Sequence, residues 1–109
     1  MQLKAVKRKE QFEKIIKEGK KVMNSHFVIY YLPSLFFEDD ETKIGISVGK
    51  KQGNACTRNF YKRRIRHILR EIDIDINQKY AIIIMRPACL NKDFKEMKQK
   101  LTKVLKGIK

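Results

Sequence analysis

The chain has 109 residues, the length of one ordinary domain, so we expect residues 1–109 to form a single domain. Its 42% hydrophobic residues allow a normal core, but the formal net charge of +14 is far from the mixed-sign balance of an average soluble domain. This excess predicts a polyanionic partner or a membrane surface, and we favour a nucleic acid because the chain has the pattern of a compact domain. No stretch approaches the roughly 20 apolar residues of a membrane span.

The first half of the chain predicts one helix and three strands after a basic lead, residues 1–7, that has little periodicity and is expected to be frayed, without regular structure. Apolar residues at helical or alternating spacing give these bounds: helix Glu10–Glu18 and strands Lys21–Met23, His26–Leu32 and Lys43–Gly49. Neither face of His26–Leu32 is polar. The sheet is therefore either covered by helices on one side and used for binding on the other, or sandwiched completely. The glycines of the third strand indicate a bulge or the close approach of another backbone. Pro33–Thr42 reads as a loop.

The stretch Lys50–Glu71 predicts the central helix of the protein. At about 100° per residue, one arc carries the apolar residues and the opposite arc carries the polar ones, with Arg58 at the seam. The apolar arc comprises Tyr61, Ile65, Ile68, Leu69 and Ile72, and the polar arc comprises Asn59, Lys62, Arg63, Arg66 and Arg70. Asn54 is the favoured N-cap, with Thr57 as a competitor. From Thr42 to Arg70 there are nine Lys or Arg residues and no Asp or Glu.

The last part of the chain predicts one buried strand and one helix. Asp73, Asp75 and Asn77 break the central helix, and the continuous apolar run Lys79–Arg86 fits a buried strand that ends at Pro87. A final helix is capped by Asn91 and carries a core stripe at helical spacing, which runs through Phe94, Met97, Leu101, Val104, Leu105 and Ile108. The predicted fold is therefore a small α+β sandwich with the order αβββαβα.

The central stretch resembles the protein subunit of bacterial ribonuclease P, the ribonucleoprotein that removes 5′ leaders from precursor tRNA. Ten residues match the family's signature at fixed spacing: Lys50, Lys51, Gly53, Asn54, Ala55, Arg58, Asn59, Lys62, Arg63 and Arg66. The likeness covers nearly the whole chain, including Phe12, Gly45–Val48 and Ile82–Ala88. One departure is Phe60, which stands where the signature has the second arginine of an Arg-Asn-Arg triplet. Phe60 is either a partly exposed residue or a replacement stacking surface.

The resemblance implies a fold, a function and two binding surfaces. The fold would include an unusual left-handed β-α-β crossover. The implied function is that of an accessory subunit in Mg²⁺-dependent removal of the leader, with catalysis and most Mg²⁺ binding left to the RNA subunit. The partners would be the catalytic RNA and precursor tRNA, without an obligate protein partner. The implied RNA-binding residues are Lys50, Lys51, Asn54, Arg58, Asn59, Lys62, Arg63, Arg66 and Arg70, and the implied leader cleft is lined by Phe12, Ile16, Tyr30 and Val48.

The residues themselves predict no catalytic or metal site on the protein. His26 and His67 are isolated, the acids Glu38–Glu41 read as a solvated loop away from the RNA surface, and no nucleophile with a base is recognisable. Cys56 and Cys89 lack the CxxC spacing of a zinc or redox site, and we expect no disulfide. The N-terminus has no apolar core of a signal peptide, so a cytoplasmic location is expected.

Two rival functions share the charge pattern. A structured-RNA-binding module such as a ribosomal protein would not stimulate precursor cleavage by a catalytic RNA. A DNA-binding protein would place the central helix in a major groove and would prefer duplex DNA to structured RNA.

Overall fold

The structure is a computed structural model that describes residues 4–72 and 76–108, and within these ranges it contains three α-helices and one five-stranded sheet. Asp73 and Asp75, predicted as helix breakers, lie outside the described residues. The helices are α1 (Lys9–Glu18), α2 (Ala55–Glu71) and α3 (Phe94–Leu105), and the strands are β1 (Lys4–Ala5), β2 (Lys20–Met23), β3 (Phe27–Pro33), β4 (Lys43–Ser47) and β5 (Lys79–Met85). Short 3₁₀ turns cover Ser34–Phe37, Lys50–Gln52 and Pro87–Cys89.

The predicted order αβββαβα is confirmed, with one strand added in front. Lys4 and Ala5 pair in parallel with Lys43 and Ile44 of β4, so the expectation of a lead without structure is wrong for these residues. The reason is that β4 would otherwise be an edge strand with unpaired N–H and C=O groups on one side. A local pattern cannot reveal pairing over so long a distance in the chain.

The sheet has the strand order β1-β4-β5-β3-β2 and is mixed. β4 and β5 are parallel neighbours, whereas β5, β3 and β2 pair in antiparallel fashion. Since α2 connects β4 to β5, the chain contains the β-α-β crossover that the resemblance implied. The hand of this crossover stays a prediction.

Helices lie on both faces of the sheet, but they cover the two faces unequally. On one face, alternate residues of β3 and β5 such as Phe27, Ile29 and Ile83 pack with α2 and α3 in the larger core. On the other face, Leu32 and Ile82 pack with α1 in a smaller cluster. The second alternative, a sheet with helices on both sides, is therefore closer to the structure, although α1 alone leaves part of its face open.

The N-cap predicted from the sequence is correct for α2 and wrong for α3. The side chain of Asn54 caps α2 by accepting a hydrogen bond from the Thr57 N–H at 2.9 Å, as predicted. The preceding Gly53 has φ 138°, which a side chain would strain. The cap of α3 is Asp93, whose carboxylate accepts from the Glu96 N–H at 2.8 Å, so the assignment of this cap to Asn91 is wrong.

Gly45 of β4 allows a side chain to approach the strand closely. The sequence had suggested the close approach of another backbone or a bulge. A Cβ atom at this position would stand 2.7 Å from Cζ of Phe12, closer than such contacts occur. The glycine therefore makes room for the Phe12 ring of α1 against the sheet. Both cysteines are free in the structure, with Cys56 exposed and Cys89 buried.

Candidate RNA interface

Helix α2 has the two predicted sides. Tyr61, Ile65, Ile68 and Leu69 are buried in the larger core, which confirms the apolar arc. Asn59, Arg63, Arg66 and Arg70 of the opposite arc are exposed, while Lys62 and the seam residue Arg58 are half-buried. The fold thus anchors the helix by one side and turns its cations outward.

The outward cations are not neutralised by neighbouring acids. Within residues 4–72 and 76–108, no ion pair involves Arg58, Lys62, Arg63, Arg66 or Arg70. The Nε of Arg70 donates to the backbone carbonyl of Arg66 at 3.4 Å, and the buried Nε of Arg58 has no hydrogen-bond partner. These guanidinium and ammonium groups therefore keep donors and charge that a polyanion can use.

The approach to α2 extends the basic surface. Lys50 and Lys51 are exposed in the 3₁₀ turn that precedes the helix, and Asn54 follows them at the cap. Because the Asn54 oxygen is occupied by the Thr57 N–H, its first role is to fix the start of α2. The name "basic face" is used below for Lys50, Lys51, Arg58, Asn59, Lys62, Arg63, Arg66 and Arg70.

Arg64 differs from Arg63 although the two are adjacent in the sequence. Its Nη1 donates to the carbonyl oxygen of Lys92 at 2.7 Å and contacts Sδ of Met97 at 3.7 Å. The guanidinium thereby ties α2 to the start of α3. Arg64 was not among the predicted RNA-binding residues, and the structure shows it engaged within the protein.

A second candidate surface lies on the α1 side of the sheet. Strand register places Lys21, Tyr30, Ile82 and Gly45 in one row across β2, β3, β5 and β4, and Phe12 of α1 lies against this row. The next row is Met23, Val28, Ile84 and Ser47. All four residues of that second row keep exposed area, so the row forms an open floor beside α1.

Three of the four predicted cleft residues belong to this open side. Phe12 and Tyr30 are half-buried against the smaller cluster, and Ile16 is 45% exposed on α1. Lys21 lies with Nζ 5.9 Å from the centre of the Tyr30 ring, which brings a cation to the aromatic surface. The "cleft" is defined here by Phe12, Ile16, Tyr30, Val28 and Ile84.

Val48 does not join the cleft. It is only 5% exposed and packs in the larger core with Tyr61 and Ile65, on the other face of the sheet. The placement follows from alternation, because Val48 continues the side of β4 that holds Ile44 and Ile46, whereas Gly45 and Ser47 face α1. Its prediction as a cleft residue is therefore corrected.

Sequence reasoning missed Val28 and Ile84 as cleft residues. Alternation with Tyr30 along the same strand was a signal for Val28. No local signal identifies Ile84, since β5 is apolar throughout and only its register with β3 and β4 brings Ile84 between Val28 and Ser47.

The acidic loop lies on the α1 side, away from the basic face, but two of its acids are engaged and not simply solvated. The Tyr80 hydroxyl donates to Asp39, and Glu41 pairs with Lys4 and Lys43. Burial raises the pKa of Asp39, but the hydrogen bonds from Tyr80 and the Glu41 N–H, together with the charges of Lys43 and Lys4, outweigh burial and leave this pKa below its ordinary value. Burial and the Asp39 carboxylate raise the pKa of Tyr80.

The two histidines each contact a carboxylate of the protein, in different parts of the structure. His26 is buried between Oγ of Ser25, at 2.7 Å, and Oε2 of Glu96, at 2.8 Å, and it joins β3 to α3. His67 contacts Glu71 at 3.2 Å on the surface of α2. Among the described residues, no group of three or more His, Cys, Asp or Glu side chains has the arrangement of a metal site. No helix in the described ranges has the length and apolarity of a membrane span.

Comparisons with known proteins agree on one family. The family model described as Ribonuclease P matches residues 2–109. A curated relative, the Ribonuclease P protein component of Streptococcus pyogenes, is 41% identical over 101 residues, which cover 93% of this chain and 82% of the relative.

Solved structures give the same result for the fold. The RNase P protein of Staphylococcus aureus superposes with a TM-score of 0.87 at 34% identity, covering 99% of this chain and 97% of the other. The RNase P protein from Thermotoga maritima has a TM-score of 0.85 at 29% identity, covering 97% and 98% of the two chains.

Proposed function

Because this chain belongs to the ribonuclease P protein family, we propose that the basic face binds the catalytic RNA and the cleft binds the single-stranded 5′ leader of precursor tRNA. The chain is the accessory protein subunit of ribonuclease P, the enzyme that processes the 5′ ends of tRNA, and its partners are the ribonuclease P RNA and precursor tRNA. A stand-alone RNA-binding module such as a ribosomal protein is not favoured. A cytoplasmic site of action is part of the proposal.

Binding of the catalytic RNA is supported by one observation, namely that the cations of the basic face form no ion pairs with the described residues. In the described part of the chain its cations have no carboxylate partners, so binding a phosphate does not first require breaking an ion pair. Arg58 to Arg70 spans about 18 Å at roughly 1.5 Å per residue, enough to meet several successive phosphates. Phosphate contacts of this kind position a protein on RNA and read little sequence.

The cleft supports the second half because it suits unpaired bases. Its rings and aliphatic side chains are partly exposed, and Lys21 lies beside Tyr30 to meet a phosphate. A flat aromatic surface stacks on bases of any identity, which a leader of variable sequence requires. Tyr30 and Phe12 would stack, while Val28, Ile84 and Ile16 would exclude water from the bases.

The two surfaces lie on opposite faces of one rigid sheet, which gives the protein its proposed role. The α2 face holds the catalytic RNA and the α1 face holds the leader, so the sheet fixes the leader relative to the RNA that cuts next to it. Fixing this geometry lowers the entropy cost of bringing the cleavage site into place.

The donor set of the basic face does not fit a magnesium site, because Mg²⁺ prefers oxygen ligands and this face presents nitrogen cations. We therefore propose that Mg²⁺ is held mainly by the RNA subunit and the substrate. The residues of this chain would act by neutralising phosphates and by orienting the leader.

Reconstitution with the catalytic RNA tests the proposal. At physiological Mg²⁺ the protein should stimulate cleavage, and the holoenzyme should bind precursor tRNA more tightly than mature tRNA. Tyr30→Ala should weaken precursor binding by about 5- to 150-fold, if one stacked base is lost, and leave mature tRNA binding unchanged.

A matched control is Leu35→Ala, which removes an exposed apolar side chain from the 3₁₀ turn after β3. It should change neither affinity. Equal affinity of the wild-type holoenzyme for precursor and mature tRNA would refute the leader role, and absence of stimulation would favour the stand-alone RNA-binding alternative.

A further inference from the structure

Phe60 presents an aromatic ring at the edge of the basic face. The residue is 46% exposed although phenylalanine is normally buried, and it lies on the solvent side of α2. The guanidinium carbon of Arg64 stands 4.6 Å from the ring centre, and the ring of Tyr61 meets Phe60 edge to face at 5.2 Å. Arg64 and Tyr61 therefore contact two sides of the ring, and the rest of its surface is exposed to solvent.

The supports of this ring are themselves fixed. Arg64 donates to the Lys92 carbonyl at 2.7 Å, and the Tyr61 hydroxyl accepts from the Asn91 N–H at 3.0 Å. Both hydrogen bonds go to the backbone of the segment that leads into α3. This segment therefore fixes the two α2 side chains that contact the Phe60 ring. A surface held in this way loses little conformational freedom when a ligand binds to it.

The surroundings of the ring decide which ligand it fits. Arg63 lies three residues further along α2, about 60° around the helix, and Asn59 is the preceding residue. Arg63 and Asn59 are exposed, and Arg63 forms no ion pair within the described residues. An aromatic ring next to an unpaired cation combines a stacking surface for a base with a contact for its phosphate. A cationic border of this kind would repel a basic partner and disfavour an apolar one.

We propose that the open face of Phe60 stacks on an unpaired nucleobase of an RNA that passes beside the basic face. The inference rests on the proposed function and adds a contact that acts by stacking and not by charge. Arg64 contributes as a positioning residue, because it holds one side of the ring and adds its own cation to the stack. The base belongs either to the catalytic RNA or to the precursor tRNA.

The test measures RNA affinity over a series of salt concentrations in two arms. The first arm titrates the catalytic RNA with the protein, and the second titrates the holoenzyme with precursor tRNA. Phe60→Ala should weaken binding by about 5- to 150-fold in at least one arm. The log-log slope against salt should stay that of the wild type, because no charge is removed.

Three further variants separate stacking from charge and from packing. Phe60→Trp should stay within about threefold of wild type, since it keeps a π surface. Phe60→Leu keeps apolar contact with Tyr61 but lacks a ring, so it should lose nearly as much affinity as the alanine variant. Phe60→Arg should steepen the salt slope by about 0.7 to 0.9 if the new cation reaches a phosphate. Phe36→Ala is the matched control in the first arm, because Phe36 is 49% exposed in the 3₁₀ turn beside α1, on the face of the sheet opposite α2.

The outcomes are distinct from a failure of the proposed function. A loss in the first arm places the base in the catalytic RNA, and a loss only in the second places it in the substrate. Wild-type affinity of Phe60→Leu in both arms would overturn the stacking contact, and so would a Phe60→Ala variant with a normal unfolding midpoint and unchanged affinity. If the wild-type protein itself failed to bind the catalytic RNA, the proposed function would fail instead.

Discussion

Replacing Arg66 by Gln tests the basic face at an exposed cation. Arg66 projects from the outward side of α2, and its guanidinium forms no ion pair in the described ranges. The substitution removes one charge and keeps the length and helix propensity of the side chain. Because the guanidinium makes no ion pair or hydrogen bond with the described residues, the free energy of unfolding should change by less than about 0.5 kcal/mol.

The expected effect on binding follows from counterion release. The basic face carries seven cations, namely Lys50, Lys51, Arg58, Lys62, Arg63, Arg66 and Arg70. If each neutralises one phosphate, the log-log slope of affinity against salt should be about 5 to 6, and Arg66→Gln should reduce it by about 0.7 to 0.9. A rise from about 50 to 200 mM salt would then weaken the variant about threefold less than the wild type.

The assay is a titration of the catalytic RNA with each protein at five or more salt concentrations and constant Mg²⁺. Arg64→Gln is the matched control, since Arg64 is an arginine of the same helix whose guanidinium is engaged by the Lys92 carbonyl. This variant should lose about 1 kcal/mol of stability, the worth of an ordinary hydrogen bond. It should keep the wild-type slope, because the affinity that it loses by releasing the Phe60 ring comes from stacking and is the same at every salt concentration. An unchanged slope for Arg66→Gln, or equal slope changes for both variants, would refute the assignment of the outward cations to phosphate binding.

Three predictions concern the fold that supports these surfaces. Asn54→Ala removes the cap of α2 and should cost about 1 kcal/mol in urea unfolding, whereas Asn54→Asp keeps the cap and should weaken RNA binding through its negative charge; equal stability of the alanine and wild-type proteins would contradict the first part. Gly45→Ala should destabilise by about 1 to 3 kcal/mol, because the new methyl group overlaps the Phe12 ring, and the cost should fall in a Phe12→Ala background. A thiol reagent at pH 8 should modify exposed Cys56 in the native protein and reach Cys89 only after unfolding, because burial raises the pKa of the Cys89 thiol to about 11; rapid modification of both thiols in native protein would show that the core opens.

Local chemistry in the sequence was enough to predict α2 in detail. A period of 3.6 residues separates Tyr61 and Ile65 from Arg63 and Arg66 whatever the rest of the chain does, and the Asn54 cap needs only residues three positions apart. The same reasoning gave the order αβββαβα, because each of these helices and strands carries a period or an apolar run of its own, whereas the short strand β1 carries neither. Charge placement along α2 then indicated a polyanionic partner without any knowledge of tertiary contacts.

Tertiary structure decided what depends on pairing between distant segments. The register of β3, β5 and β4 brings Val28, Ile84 and Ser47 into one row. Packing of α2 and α3 on the side of β4 that carries Ile44 puts Val48 in the larger core instead of the cleft. Docking of α3 also gives two adjacent arginines different roles, because Arg64 donates to the Lys92 carbonyl before α3 whereas Arg63 stays exposed. The physical reason is that a strand shows its alternation but not which neighbour it pairs with, so faces and partners are chosen only when the whole sheet assembles.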